Sequence, residues 1–496
     1  MVDSATFAYL QGWLVDAIRP EYVKGSLSKW ASYDGKVNKG TVSKLWDLFD
    51  RAVCGGSDKR LRTAEGKLYV YNGRWYEKVD EDTFLKELVR RVLTELGVSD
   101  TYRFYGASRI ACELTARIEN TEGCRYVPDR RYVCFENGVF DIKEGRLKAH
   151  HMRYCTDVVL DFPYDPRAAC LLWDIKLKEI IPGKDFRRAF QQFCGSLLVK
   201  RDEMKIEYIC YLYGSGSNGK SVLASAVAGV FGERYYSTFT PQQLFKEGNG
   251  SMFNMKELQG KLLNVCDDLT AKDFSGGEFK RFISGEKFKA SGKYERGYVM
   301  VQPPMMLVCT NFMPESADDS YGHHRRQLPI FTTRQQFCGD RRDPELTAKL
   351  GAVEARQRIF NWIYEGYRSL RAKNGNIELG DAVKAAVAQV VAESNPMRSW
   401  AMERGLTKAV VDGGWNDRRW KPLSAWYADF SRWCKENGYP NNRISRDLSA
   451  MFDSMGFVKK RRSQVAAGTW FCIGVKSHDT DEFGNYIDPI QQSLED

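Results

Sequence analysis

Eight residues near the middle of the chain, Gly214-Ser215-Gly216-Ser217-Asn218-Gly219-Lys220-Ser221, fit the pattern G-x-x-x-x-G-K-[ST]. The glycines allow successive backbone N–H groups to turn inward around phosphate oxygens. A helix starting near Lys220 adds the positive end of its dipole. In such a loop Lys220 reaches the β- and γ-phosphates of a nucleotide, and Ser221 ligates Mg²⁺. The loop needs a buried strand before it and an amphipathic helix after it. Ile206–Tyr213 is a near-continuous apolar and aromatic run, and Lys220–Phe231 has a helical pattern, so both requirements are met.

Two more buried-type strands follow, Leu262–Cys266 and Met305–Thr310. Strands alternating with helices, with polar residues at the strand ends, predict an α/β domain whose functional groups share one edge of a sheet. The first of these strands ends in Asp267 and Asp268. A magnesium-nucleotide site needs one carboxylate for the metal and a second acceptor to orient or deprotonate the attacking water. Asp267 is assigned to Mg²⁺ and Asp268 to the base, and the two assignments can be exchanged. Asn311 ends the next strand, where an amide can donate to the γ-phosphate and accept from the water.

The chain has 496 residues, enough for several domains, and a net charge of +10. That excess matters only if it is concentrated, in which case it makes a surface for a polyanion. The last twenty residues, 477–496, carry six acidic residues and no Lys or Arg, so the rest of the chain is more basic than the total suggests. Thirteen cysteines without a C-x-x-C pair read as reduced thiols, and the histidines have no zinc-site spacing. No membrane span or signal peptide is expected, which points to a cytoplasmic protein.

Around the central domain, residues 1–130 mix hairpin and helical patterns. The aromatics of 68–79 alternate about Asn72-Gly73, and Thr83–Leu96 reads as an amphipathic helix. Residues 131–200 carry short strand-like runs and then a helical pattern from Ala168 to Leu198. In 395–476, two helical patterns precede Phe457–Val475, which is a winged-helix order. Its basic run Lys459, Lys460, Arg461 and Arg462 would begin a DNA-binding wing.

Taken in order, GSGSNGKS, LLNVCDD, GEKFKASGKYE and PPMMLVCTN resemble superfamily 3 helicases. They are most similar to the phage/plasmid primase-helicase branch related to the poxvirus primase-helicase. The resemblance covers about residues 65–475 and includes FENGVFDIKEG upstream. It implies an AAA+-like P-loop ATPase core at 201–375, a helical collar at 131–200, a C-terminal winged-helix-like domain and an acidic tail at 477–496. It also implies ATP and Mg²⁺ as cofactors, a homo-hexameric ring, and single-stranded and forked DNA as substrate. Primase, polymerase or initiator proteins would be further partners.

The family's DNA-contacting hairpin matches 285–295, which places Lys293 at a basic tip. Tyr294 stands where several relatives have His, and Lys287, Lys289 and Arg296 reinforce the surface. The family also supplies an arginine to the neighbouring subunit's γ-phosphate. Arg325 is the match and Arg326 the reserve.

No primase domain is recognisable in the first 65 residues, so that activity is not implied. Two other readings remain: a DNA-binding replication initiator whose ATPase only switches assembly, and a small-molecule P-loop phosphotransferase.

Overall fold

The computed structural model describes residues 4–24, 38–201, 203–245, 249–267, 277–290, 299–311, 325–393, 396–408, 420–436, 445–462 and 468–475. The first part contains helices α1 (Ser4–Lys24) and α2 (Lys39–Asp50), strands β1 (Leu61–Ala64), β2 (Lys67–Tyr71) and β3 (Tyr76–Val79), and helices α3 (Glu81–Glu95) and α4 (Asp100–Glu119). The strands form an antiparallel meander in the order β1-β2-β3.

The β2–β3 turn spans Asn72–Trp75, because Tyr71 pairs with Tyr76. The Asn72 side-chain oxygen accepts from the backbone N–H groups of Arg74 and Trp75. Asp80 caps α3 by accepting from Thr83 N–H at 3.2 Å. The helical periodicity then buries Phe84, Leu85, Leu88, Val92 and Leu93 against Leu10, Leu14 and Ile18 of α1 and Ile110 and Leu114 of α4. This core belongs to the N-terminal region alone.

Residues 131–200, which the resemblance implies are a helical collar, begin with the strands their short apolar runs suggest, a small antiparallel sheet of β4 (Tyr132–Phe135), β5 (Gly138–Asp141) and β6 (Arg146–Lys148). Helices come only afterwards, α5 (Leu171–Ile180) and α6 (Lys184–Gly195), separated by Ile181-Pro182-Gly183. One continuous core runs from Val133 through Phe193 and Leu223 to Val383. The sequence boundary at 200 therefore falls inside a single packed unit.

Asp141 pins the small sheet. It has no exposed surface. Its carboxylate accepts from Arg131 at 2.7 Å, from Lys148 at 2.8 Å and from the backbone N–H groups of Lys143 and Glu144. Burial alone would raise its pKa, but Arg131, Lys148 and the Glu144 amide outweigh it and hold the carboxyl well below the ordinary carboxylate range. A depressed folded-state pKa contributes stability that is present above the unfolded value of ~4 and lost as pH falls through the folded value. Asp141→Asn is expected to cost about 2–3 kcal/mol at neutral pH. In denaturant melts, the gap to wild type should shrink progressively below about pH 4. A gap that stays constant down to pH 2 would refute the role given to the carboxylate.

The central sheet contains β7 (Ile209–Tyr213), followed by α7 (Lys220–Phe231) and β8 (Tyr236–Ser237). Short helices α8 (Pro241–Phe245) and α9 (Asn249–Glu257) lead to β9 (Leu263–Asp267) and α10 (Gly277–Ile283). A two-stranded hairpin, β10 (Phe288–Ala290) and β11 (Val299–Val301), precedes β12 (Met305–Thr310) and β13 (Gln327–Phe331). The five-stranded order is β13-β7-β12-β9-β8, and every pairing is parallel. Parallel strands covered on both faces should be apolar throughout. All six residues of β12 are indeed buried. Helices α11 (Leu346–Leu350), α12 (Val353–Ala372) and α13 (Asp381–Glu393) follow.

The last part runs α14 (Pro396–Glu403), β14 (Leu406–Lys408), β15 (Trp420–Pro422), α15 (Leu423–Glu436), α16 (Ser445–Ser454), β16 (Val458–Arg462) and β17 (Gly468–Val475). Strand β17 pairs antiparallel with β14, β15 and β16. Trp400, Trp426, Phe430, Phe452 and Phe471 fill a separate core, and Trp400 donates its indole N–H to Asp429 at 3.0 Å. All thirteen cysteines are free thiols. Among the described residues, no helix is long and apolar enough to cross a membrane.

Candidate functional site

The glycine-rich loop leaves the carboxyl end of β7 and enters α7, as its strand-and-helix context requires. Gly219 has φ +88°, and a Cβ there would lie 2.6 Å from Ile180 Cδ1 of α5, so only glycine fits. Asn218 is buried and braces the loop from inside. It donates to Thr332 Oγ1 at 2.7 Å and to Thr333 O at 2.9 Å. Phe337 N–H donates to Ser217 O at 2.7 Å, so the segment after β13 folds over the loop.

Lys220 is 7% exposed. Its ammonium donates to Gly214 O and Ser215 O at 2.8 Å, to Asn311 Oδ1 at 2.9 Å and to Asn218 Oδ1 at 3.0 Å. Burial pulls its pKa down, opposed by Cys309 and Asp267 nearby. Asn311 reaches Lys220 because β12 is the direct neighbour of β7, with Thr310 paired to Tyr213. On the other side of β12, Cys309 pairs with Asp267 at the end of β9.

Ser221 Oγ donates to Asp267 Oδ1 at 3.5 Å, a long contact. A hydroxyl and a carboxylate oxygen at this separation suit a hard divalent cation that takes its remaining ligands from phosphate and water. Among the described residues, no group of three His, Cys, Asp or Glu could hold a metal ion without such help.

One sheet edge thus gathers Lys220, Ser221, Asp267 and Asn311. Arg325 lies at the other. It precedes Gln327, which pairs with Ile209 at the start of β7. Five residues of strand separate that point from the loop, roughly 17 Å, too far for one side chain to span. Instead Arg325 donates to Glu207 at 2.7 Å.

The hairpin root is at this same edge. Lys289 is exposed on β10 opposite Met300, with Phe288 and Ala290 on the buried face. Asp268, Lys293, Tyr294 and Arg296 lie outside the described residues.

The basic run of β16 divides between two faces by register. Lys459 pairs with Phe471 and binds Asp453 at 2.6 Å. Lys460 pairs with Trp470 and sits over the Trp420 ring at 5.4 Å. Arg461 follows Lys459 onto its face.

Sequence reasoning missed Thr332, Thr333 and Glu207. Two threonines directly after a strand-like LPIF are a signal, but one that becomes readable only once β13 is known to lie beside β7.

Fold and site together define a mixed α/β protein with a parallel sheet and a cluster of a cation, a carboxylate and amides at the carboxyl ends of its strands. Residues 43–182 match the family described as D5 N terminal like, and residues 212–326 match a family of unknown function, DUF5906. By the first match the chain carries a D5 N-terminal-like region, in line with the primase-helicase-like replication proteins that its motif order resembles. Solved structures described as "The apo structure of NrS-1 C terminal region (305-718)" and "The A form apo structure of NrS-1 C terminal region-CTR" share 12% and 13% identity. Each alignment covers 84% of this chain and 95% of the other, with TM-scores of 0.42 and 0.44.

Proposed function

We propose that this chain is an ATP-dependent, ring-forming DNA helicase of the superfamily 3 type, with an AAA+-like P-loop core and a C-terminal winged-helix-like DNA-binding module. The observation that carries the reading is the division of the sheet into two edges. Lys220, Ser221, Asp267 and Asn311 stand at one edge, and Arg325 with the hairpin root stands at the other. A nucleotide on the first edge can meet Arg325 only from a second copy.

In this reading Lys220 holds the β- and γ-phosphates while the loop amides cradle the chain of phosphates. Ser221 and Asp267 hold Mg²⁺, whose charge would offset that developing on the phosphate oxygens. Asn311, already bonded to Lys220, orients the attacking water, and Asp268 or Asp267 takes its proton. Arg325 of one subunit stabilises the transferred charge in the next. Lys293 and Lys289 contact the phosphate backbone of one strand, so base sequence should matter little. Lys460 presents a cation to DNA from the outer face of the C-terminal sheet.

Mixed oligomers test the central point. Lys220→Ala and Arg325→Ala subunits should each be nearly inactive alone, and mixing them should restore a fraction of DNA-stimulated hydrolysis. A mixed interface in which the Arg325→Ala subunit gives the loop and the Lys220→Ala subunit gives the arginine has both groups intact, and the reverse interface has neither. Lys293→Ala should hydrolyse ATP but unwind a forked duplex at least tenfold more slowly. Normal unwinding by Lys293→Ala, or a strictly monomeric active species, would sink this assignment. DNA-stimulated assembly without unwinding by wild type would favour an initiator that uses ATP as a switch.

A further inference from the structure

Glu207 gathers three cations at the edge opposite the glycine-rich loop. Its carboxylate is 2.7 Å from Arg325, 3.5 Å from Arg326 and 3.2 Å from Lys205, and it is 9% exposed. Burial would raise its pKa, yet Lys205, Arg326 and Arg325 hold it below the ordinary value, so it is an anion at neutral pH.

Arg326 reaches a second partner, donating to Ser284 Oγ at 3.3 Å. Ser284 directly precedes Gly285, the turn from which the β10–β11 hairpin departs. Gly285 has φ +75°, and a Cβ there would lie 2.8 Å from Arg201 Nε.

Arg201 in turn fixes the hairpin root. Its guanidinium donates to Phe282 O and Pro304 O at 3.1 Å, Pro303 O at 3.3 Å and Ile206 O at 3.0 Å, and also to Ile283 O. These carbonyls belong to the end of α10, the entry to β12 and the residue before Glu207. Arg325, Glu207, Arg326, Ser284 and the hairpin root are therefore physically contiguous.

We propose that Glu207, Arg326 and Ser284 are positioning residues that couple the intersubunit arginine Arg325 to the hairpin root. This rests on the helicase reading above and adds a route between its two working parts.

The physical cause is the charge of a half-desolvated carboxylate. When Arg325 turns toward a neighbour's nucleotide it leaves Glu207 to Lys205 and Arg326 alone, and the carboxylate attracts both more strongly. One nitrogen of Arg326, Nη2, lies 3.5 Å from Glu207 and 3.3 Å from Ser284 Oγ. A shift of that nitrogen toward Glu207 therefore alters its contact with Ser284. With Arg325 on Glu207, Arg326 touches both Glu207 and Ser284; with Arg325 withdrawn, Arg326 moves toward Glu207 and the pull is felt at Ser284, next to the hairpin root. By this account Arg326 is the partner of the trans arginine and not its substitute.

The test uses the full-length chain with single-stranded oligothymidylate as the probe. Ser284→Ala should keep its melting temperature, its DNA affinity within twofold and its basal ATPase, while the factor by which DNA stimulates hydrolysis falls at least threefold. Glu207→Gln should lose stimulation similarly. The double variant should be no worse than the worse single one, because both cut the same route. Residues that merely supported the fold would move melting and basal rate together and leave the stimulation factor alone.

If wild type shows stimulation and both single variants keep it, the coupling is overturned and the helicase reading stands. If wild type has no DNA-stimulated ATPase, the reading fails and the coupling fails with it. Should Glu207→Gln not fold, Ser284→Ala decides the matter alone, since it removes one hydroxyl.

Discussion

Alanine in place of Lys220 should reduce ATP hydrolysis by about a thousandfold or more and weaken nucleotide binding with it. The reason lies in what the ammonium is doing before any nucleotide arrives. It has three protons and faces four oxygens, those of Gly214, Ser215, Asn218 and Asn311. The cation is already stripped of most of its water. It would exchange these acceptors for phosphate oxygens without a further desolvation cost, which is the advantage of a preorganised charge.

Alanine removes the charge and leaves four carbonyl-type acceptors without a donor. Water can reach some of them, so the stability loss should be only about 1–2 kcal/mol. Activity falls far more than stability does. Steady-state phosphate release and calorimetric nucleotide titration measure the two losses, with a melting curve as control. Hydrolysis within tenfold of wild type would remove Lys220 from the chemistry. Arginine should not rescue, because its broad planar fork cannot occupy a pocket built around a compact ammonium.

Gly366→Ala should give the largest loss of stability. Helices α6 and α12 cross where Gly195 faces Gly366, and the approach is backbone to backbone. A Cβ on Gly366 would lie 2.0 Å from Gln191 O, and one on Gly195 would lie 2.2 Å from Tyr367 N. Alanine would favour the isolated helix by about 1 kcal/mol. The clash opposes this and wins, because a carbonyl and an amide inside helices cannot swing aside as a side-chain tip can. Overpacking of this kind costs ~1–3 kcal/mol where side chains yield, and the upper end or more is expected here. At ~2–4 °C per kcal/mol for a unit of this size, melting should fall by about 6–12 °C. A melting point within 2 °C of wild type would mean that the helices separate freely.

The parts legible in the sequence are those fixed by local pattern. The glycine-rich loop reads directly from its spacing, because tight backbone turns and a following helix leave few residue types to choose from. Asp267 and Asn311 could be found because each ends a recognisable apolar strand, Leu263–Asp267 and Met305–Thr310.

What was not legible depends on strand order and packing. Sequence alone does not say that β12 lies between β7 and β9, which is what brings Asn311 to Lys220. Nor does it say that Glu207 and Arg325 meet, since 118 residues separate them. The strand-like runs of 131–148 were legible, but not that these strands pack with α5, α6 and the central sheet into one core. In Lys459–Arg462 the charge was plain, but only the pairing to β17 separates Lys460 from Lys459. Lys459 has its charge met by Asp453.

Strand β12 has a mechanical consequence. It is six residues long, about 20 Å, and carries Asn311 just past one end and the Arg201-clamped prolines just before the other. Its odd residues Met305, Leu307 and Cys309 sit in one core and its even residues Met306 and Val308 in another, while ladders hold it on both sides. A slip of one residue would exchange the two cores' contents, so register is locked. Such a strand behaves as a strut. It sets a fixed separation between the Asn311 backbone and the prolines from which the hairpin returns.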